Sequence, residues 1–371
     1  MIHIKEIHSG KDLKKFTKFP TWLYKNSSFY VHPLNADEKM MFSKKNPSAE
    51  NVEVQCFLAF KGKQVVGRIA AIIHHLYNEK TGKKYVRFSR FDFIDKYDVS
   101  EALVEAATRW AKERGMELIH GPLGFSDFDK QGLLVEGFDR LSTFETIYNY
   151  GYYHCHLEKL GFKKEFDWLE FEIKNNGTLD QFEKIAKRMV DQSNLTILPQ
   201  SVSVDEILAK YEGAMFDLIN DCYSHLNGYV QVTPKVQSAI IKQFRKVLKR
   251  EYVALVFDGD KLVGLTVAVP SIARSVNKSQ GRMRLCDAFR IMREAKRSKY
   301  LDFCNITVSK AHRNMGINAI LMNEIMQRAV KNGIVSAETN LELEENGEVL
   351  AQNKYFEKQL IKRRRCLIKE I

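Results

Sequence analysis

The order of pattern signals along this chain is written twice, about 190 residues apart, and a duplicated order restricts the fold more than any single motif. In the first pass His3–Ile7 alternates as a strand and Asp12–Tyr24 has helical spacing. Val52–Phe60 and Gln64–His74 are strands about the turn Lys61-Gly62-Lys63, and Tyr85–Ile94 is a third strand. Val99–Arg114 places Leu103, Ala106, Ala107, Trp110 and Ala111 on one helix face before Gly115. A strand (Glu117–Pro122), a short helix (Tyr152–Leu160) and a strand (Phe166–Ile173) complete the pass. The second pass runs Leu195–Pro199, Asp205–Ser224, a hairpin of Tyr252–Phe257 and Leu262–Val269 about Asp258-Gly259-Asp260, then Tyr300–Val308. It ends with helix Gly316–Lys331, strand Ile334–Leu341, helix Glu348–Gln359 and strand Arg363–Ile368. The polar break Asn175-Asn176-Gly177-Thr178 lies between, and Thr178–Asp191 reads as a connecting helix. We expect two copies of one α/β domain, spanning 1–176 and 177–371.

The 371 residues suit two such domains. No apolar run reaches the ~18 residues of a membrane span. The start, Met1-Ile2-His3-Ile4-Lys5, lacks the pattern of a signal peptide. The six cysteines form no CxxC pair and read as reduced, mostly buried thiols. These features predict a cytoplasmic protein with no membrane partner and no metal. His74-His75 are adjacent and point to opposite faces of a strand, and His154 and His156 sit two apart on a helix, so neither pair has ligand spacing. No G-x-S-x-G elbow is present, which argues against a Ser-His-Asp hydrolase.

The net charge of +12 is uneven. Through Asn176 there are 27 Lys/Arg against 24 Asp/Glu; the remainder has 31 against 22. In Ser271–Lys299 nine basic residues face only Asp287 and Glu294. That stretch reads either as a solvated surface helix and loop or as a docking surface for an anion: a CoA nucleotide, an acidic substrate or nucleic acid. Nucleic acid fits least, because no recognised module or interleaving of aromatics accompanies the charge.

Val308-Ser309-Lys310-Ala311-His312-Arg313-Asn314-Met315-Gly316-Ile317-Asn318-Ala319 follows an apolar strand and opens a helix. Unpaired amides at a helix start favour a pyrophosphate, and glycine allows close approach. The segment resembles the acetyl-CoA loop of the GNAT (Gcn5-related N-acetyltransferase) superfamily, Arg/Gln-x-x-Gly-x-Gly/Ala, with Arg313 and Gly316 matching and Asn318 at the third anchor. Glu158-Lys159-Leu160-Gly161-Phe162 resembles a late helix-to-strand junction of the same superfamily. The resemblance implies two tandem GNAT-like domains, each a mixed, mostly antiparallel sheet flanked by helices. In each, the sheet is expected to splay between 85–94 and 117–122, and between 300–308 and 334–341. It also implies an acyl-CoA cosubstrate, acetyl-CoA first, held by Val308, Arg313, Asn314, Met315, Gly316, Ile317, Asn318 and Ala319. The corresponding turn of the first half carries Asp95 and Asp98 and no glycine, so that half is expected not to hold CoA.

Acyl transfer to an amine needs a base for the ammonium and an acid for the departing thiolate. The resemblance implies a tyrosine on the last helix as the acid; spacing from Ala351 selects Tyr355, while spacing to Glu357-Lys358 selects Phe356, which has no phenol. Glu338 is the candidate base. His312 could meet the nucleotide. The run Gly121–Phe138, rich in glycine, aromatics and acids, resembles a segment of uncharacterised bacterial tandem proteins of the superfamily; a structural loop capped by Ser126 or Asp127 is the simpler reading. The functional reading makes Phe125, Ser126, Asp127 and Asp129 an amine-binding wall facing the second domain. The expected activity is N-acyl transfer to a small-molecule amine or to a protein N-terminus or lysine; the alternatives are a non-catalytic CoA- or metabolite-binding protein and a structural interaction module.

Overall fold

The computed structural model describes residues 1–174, 179–345 and 358–371. The first half comprises β1 (Ile2–Glu6), α1 (Gly10–Leu23), α2 (Asn35–Met41), β2 (Val52–Lys61), β3 (Gln64–His74) and α3 (His75–Thr81). It continues with β4 (Tyr85–Phe93), α4 (Tyr97–Lys112), β5 (Leu118–Gly121), β6 (Leu133–Glu136), α5 (Tyr152–Lys159) and β7 (Lys163–Lys174). Then come α6 (Leu179–Asp191), β8 (Leu195–Ile197), α7 (Val204–Tyr223), α8 (Pro234–Phe244), β9 (Val253–Asp258) and β10 (Lys261–Pro270). The chain ends with α9 (Ala273–Ser279), α10 (Leu285–Arg297), β11 (Tyr300–Val308), α11 (Ile317–Lys331), β12 (Ser336–Glu338), β13 (Glu342–Leu343) and β14 (Lys358–Glu370). The helix expected over Glu348–Gln359 lies outside the described residues except for its last two positions, which begin β14.

The duplication extends to the packing. The hairpins β2–β3 and β9–β10 are antiparallel, and each is followed by an antiparallel third strand. At the same place in each half a glycine lets a helix lie against the sheet: a Cβ on Gly67 would come within 2.7 Å of Leu103 Cδ1 of α4, and one on Gly264 within 2.5 Å of Ile317 Cγ2 of α11. Leu103 and Ala107 pack against β3 and β4 in the first core, and Ile320, Leu321 and Ile325 against β9–β11 in the second. The halves differ after the hairpin, where the seven-residue α3 of the first is replaced by the pair α9–α10 in the second.

The strands form a single sheet in the order β1-β2-β3-β4-β5-β14-β7-β12-β11-β10-β9-β8. The expected pair of sheets is thus hydrogen-bonded into one. The C-terminal strand β14 lies between β5 and β7 of the first half, and β7 pairs onward with β12 of the second. Adjacent strands are antiparallel except β4–β5, paired only over Tyr85–Arg87 with Leu118–His120, and β11–β12, paired only over Tyr300–Asp302 with Ser336–Glu338. At both sites the longer strand runs on alone, so the sheet parts where the sequence pattern predicts.

The central strands bury charge. Arg364 Nε donates to Glu170 Oε1 at 2.5 Å, both side chains fully buried, and Lys362 pairs with Glu170 at 3.7 Å and also with Glu338. Ions withdrawn from water destabilise a fold unless each meets an opposite charge, and this ladder meets that need while tying β14 to β7 and β12.

Candidate active site

Beyond the Asp302–Glu338 pairing, β11 and β12 separate and a cavity of about 300 Å³ opens between them. Asn340 Nδ2 bridges the gap to the Cys304 carbonyl at 2.9 Å. The cavity continues between α7, α8 and the sheet, where Ile207, Leu208, Phe216, Ile240, Phe244 and Leu265 line it. On its wall the Tyr223 hydroxyl donates to the Ile306 carbonyl at 3.0 Å and accepts from Asn305 Nδ2 at 3.1 Å. Burial pushes that phenol up to about 12, so it stays protonated.

The first half closes one side through the loop between β5 and β6. Asp127, Phe128, Asp129 and Gln131 line the cavity, and Phe128 packs into the core of the second half beside Phe216. Asp127 Oδ2 accepts from the Val230 amide at 3.1 Å; burial raises this carboxyl. Asp129 Oδ2 accepts from the amides of Phe125 at 2.7 Å and Ser126 at 3.1 Å, and Ser126 Oγ accepts from the Phe128 amide at 3.3 Å. Ser126 and Asp129 therefore shape the loop. Phe125 turns inward, 1% exposed, against Phe42. The loop is fastened by Arg87 of β4, buried, which donates to Gly124 O at 3.1 Å and to Gly228 O of the second half at 2.8 Å.

At the polar end stands Glu145, on the long connection between β6 and α5. Lys130 grips that connection on both sides of it, donating to the carbonyls of Phe144 and, at 3.0 Å, Thr146. Glu145 Oε1 has no hydrogen-bond partner among the described residues. Burial pushes its carboxyl up to about 7, while Lys130 pulls against that. Such a group can take a proton from an ammonium near neutral pH. Across the cavity Lys358 Nζ meets Glu342 Oε1 at 2.9 Å. Glu338 sits behind this wall, held by Lys362, and burial raises its carboxyl. Tyr355 and Phe356 lie outside the described residues.

From the cavity β11 runs about 13 Å from Cys304 to Val308, at ~3.3 Å per residue, and into the turn before α11. Gly316 caps α11 with φ of +74°, and the first amide bond of the helix is Ile320 N to Gly316 O, 3.1 Å. As the N-cap, Gly316 offers no side chain to these amides. A Cβ on Gly316 would come within 2.7 Å of Met189 Cγ of α6, a flexible side chain that can shift, so the backbone conformation is what favours glycine here. Asn314 and Met315 are exposed, Arg313, Asn318 and Ala319 half-buried, and Ile317 buried. The Val308 carbonyl accepts from Cys222 Sγ at 3.2 Å, and His312 Nε2 lies 3.2 Å from Asp258 Oδ2. In the first half the equivalent turn holds Asp95, 65% exposed, beside His156.

No family model matches the sequence. The chain is 26% identical over 272 residues to Protein YghO of Escherichia coli K12, covering 73% of this chain and 69% of that protein. It is also 26% identical over 283 residues to a bacterial ceramide synthase of Caulobacter vibrioides, covering 75% and 72%. Its structure aligns over its whole length with 98% of a tandem GNAT protein from the clavulanic acid biosynthesis pathway, at a TM-score of 0.58 and 11% identity. This chain has the tandem GNAT fold. A GCN5-related N-acetyltransferase from Sphaerobacter thermophilus aligns with the whole chain over 95% of its own, at a TM-score of 0.53 and 9% identity.

Within this tandem GNAT fold the cavity occupies the splay of the second half. Asp127 and Asp129 are the sequence-selected residues on its wall; Phe125, Ser126 and Glu338 lie behind it. Sequence reasoning missed Glu145, Lys130 and the walls given by α7 and α8. One signal was available: the stretch from Gly137 to Gly151 is long for a connection without regular structure, and such loops are commonly functional. A different cluster, His120, Glu165 and Cys366, brings one ligand-type atom from each within 4.8 Å of the others. It lies in the first-half sheet, away from the cavity wall, with His120 stacked on Tyr85.

Proposed function

We propose that this protein is an acyl-CoA-dependent N-acyltransferase whose acyl chain is longer than acetyl. The observation that carries the reading is the cavity at the β11–β12 splay, mostly apolar along α7 and α8 and ending in a carboxyl raised toward neutrality. A two-carbon acyl group would leave most of that lining without contact; a longer chain covers it, at about 0.8 kcal/mol for each CH₂ removed from water. The name of the Caulobacter relative, a ceramide synthase, agrees with an acyl chain of lipid length.

In this reading the pyrophosphate meets the amides of the α11 turn, residues 316–319, with Arg313 beside it. The pantetheine arm follows β11 from Val308 towards Cys304, which brings the thioester to the splay. Glu145 takes the proton from the acceptor ammonium, Lys130 fixing the backbone on both sides of it. The free amine attacks the thioester carbonyl, the C–N bond forms and the C–S bond breaks. Tyr355 gives the departing thiolate its proton. Asp127 and Asp129 line the acceptor end of the cavity from the first half.

The test is release of free CoA thiol from medium- and long-chain acyl-CoA in the presence of a panel of amines, with the acylated product identified by mass spectrometry. Amine-dependent thiol release that Glu145→Gln removes is the expected result. CoA binding without transfer to any amine would favour the non-catalytic alternative.

A further inference from the structure

Helix α10 has two apolar sides. Asp287, Ile291 and Ala295 face inward, with Ile291 and Ala295 packed on Val31, Ile272 and Val276. On the opposite side Leu285 is 93% exposed, Phe289 69% and Met292 59%, with Met283 at 51% just before the helix. Steps of four and three residues align the first three into one stripe. An exposed apolar stripe with a polar rim marks a contact surface, and among the described residues none covers this one.

The rim is basic. Arg282, Arg293, Lys296, Arg297 and Lys299 are exposed around the stripe. The two acids of the stretch are used inside. Asp287, fully buried, is held by Arg284 Nε at 2.8 Å and Arg290 Nη2 at 2.7 Å, and Glu294 Oε2 accepts from the Ser275 amide at 2.7 Å. Among the described residues, Arg284–Asp287 and Arg290–Asp287 are the ion pairs of the stretch. The outward face therefore combines hydrocarbon with uncompensated positive charge.

We infer that α10 docks this protein on an anionic lipid surface, with Leu285, Phe289 and Met292 in the headgroup–acyl boundary and the Arg/Lys rim on the headgroups. A strongly amphipathic helix with bulky apolar residues along one stripe and basic residues beside it lies in such an interface. A second copy of the chain would set one basic rim against another in an isologous contact. Nucleic acid would satisfy the charge and leave the stripe wet. Among the described residues no helix is long and apolar enough to cross a membrane, and docking of this kind needs none. The inference does not depend on acyl transfer.

Flotation of the full chain with vesicles tests it. The wild-type protein floats with phosphatidylcholine–phosphatidylglycerol vesicles and not with phosphatidylcholine alone, and high salt releases it. The exposed double variant Leu285→Glu/Phe289→Glu and the triple variant Arg293→Glu/Lys296→Glu/Arg297→Glu each lose at least about tenfold in partition, with unchanged circular dichroism. Absence of wild-type flotation overturns the proposal, as does equal flotation of the Leu285→Glu/Phe289→Glu variant. So does a wild-type dimer, seen by sedimentation without flotation, that this variant converts to monomer.

Discussion

Asp127 and Val230 join the two halves over the cavity: the carboxylate of one accepts the amide of the other at 3.1 Å, across 103 positions of sequence. Asp127→Ala would leave that amide and the neighbouring Arg87 guanidinium without their acceptor charge. It should cost about 2–4 kcal/mol in urea denaturation, while Asp127→Asn, which keeps an acceptor, should cost about 1 kcal/mol or less.

Glu145→Gln should lower kcat by about 10²–10⁴-fold without lowering the melting temperature. A base must be deprotonated to act, so wild-type kcat/KM should rise with pH through about 7, the value to which burial lifts this carboxyl. A pH–rate profile of the Gln variant should lack that limb. A limb that survives the substitution assigns it to another group.

Asp302 lies on β11 where it still pairs with β12, and burial raises its carboxyl from 3.8 to about 6. The folded protein therefore binds this proton more tightly than the unfolded chain does. Its contribution to stability is complete below the unfolded value, is lost as pH rises towards 6, and stays lost above. Asp302→Asn should remove that loss, stabilising the protein at pH 7 by about 2–3 kcal/mol more than at pH 4. Thermal melts at the two pH values report the difference.

How far the sequence was legible depended on the range of the forces involved. Hairpins, the helices α4 and α11 and both points of splay are written in local periodicity and turn residues, and they stand where that pattern predicts. Pairing of β14 with β5 and β7 is set by partners such as Arg364 and Glu170, 194 positions apart, which periodicity does not register. Glu145 is one acid in a loop, distinguished only by what folds around it. On α10 the pattern contains two apolar sides, and spacing alone does not tell which side is covered. Gly316 was read as a phosphate contact; the structure adds a second demand on it, a left-handed backbone with φ of +74°.

That second demand changes the test of CoA binding. Gly316→Glu would strain the turn whatever it did to ligand, so Ala319→Asp is the cleaner exchange. An acid in the first turn favours the α11 dipole and therefore the helix, yet repels a pyrophosphate at the same amides. Calorimetry should show CoA bound at least about tenfold more weakly, a loss of ~1.4 kcal/mol, with the melting temperature unchanged or raised.

The most direct measurement is calorimetric titration of acetyl-, octanoyl- and palmitoyl-CoA into the wild-type protein and into Leu208→Trp, which fills the apolar part of the cavity from α7. The account predicts affinity that climbs with chain length in the wild type, and a Trp variant that keeps its affinity for acetyl-CoA and loses the climb. Equal affinity for all three thioesters in the wild type, or a climb that survives Leu208→Trp, would contradict it.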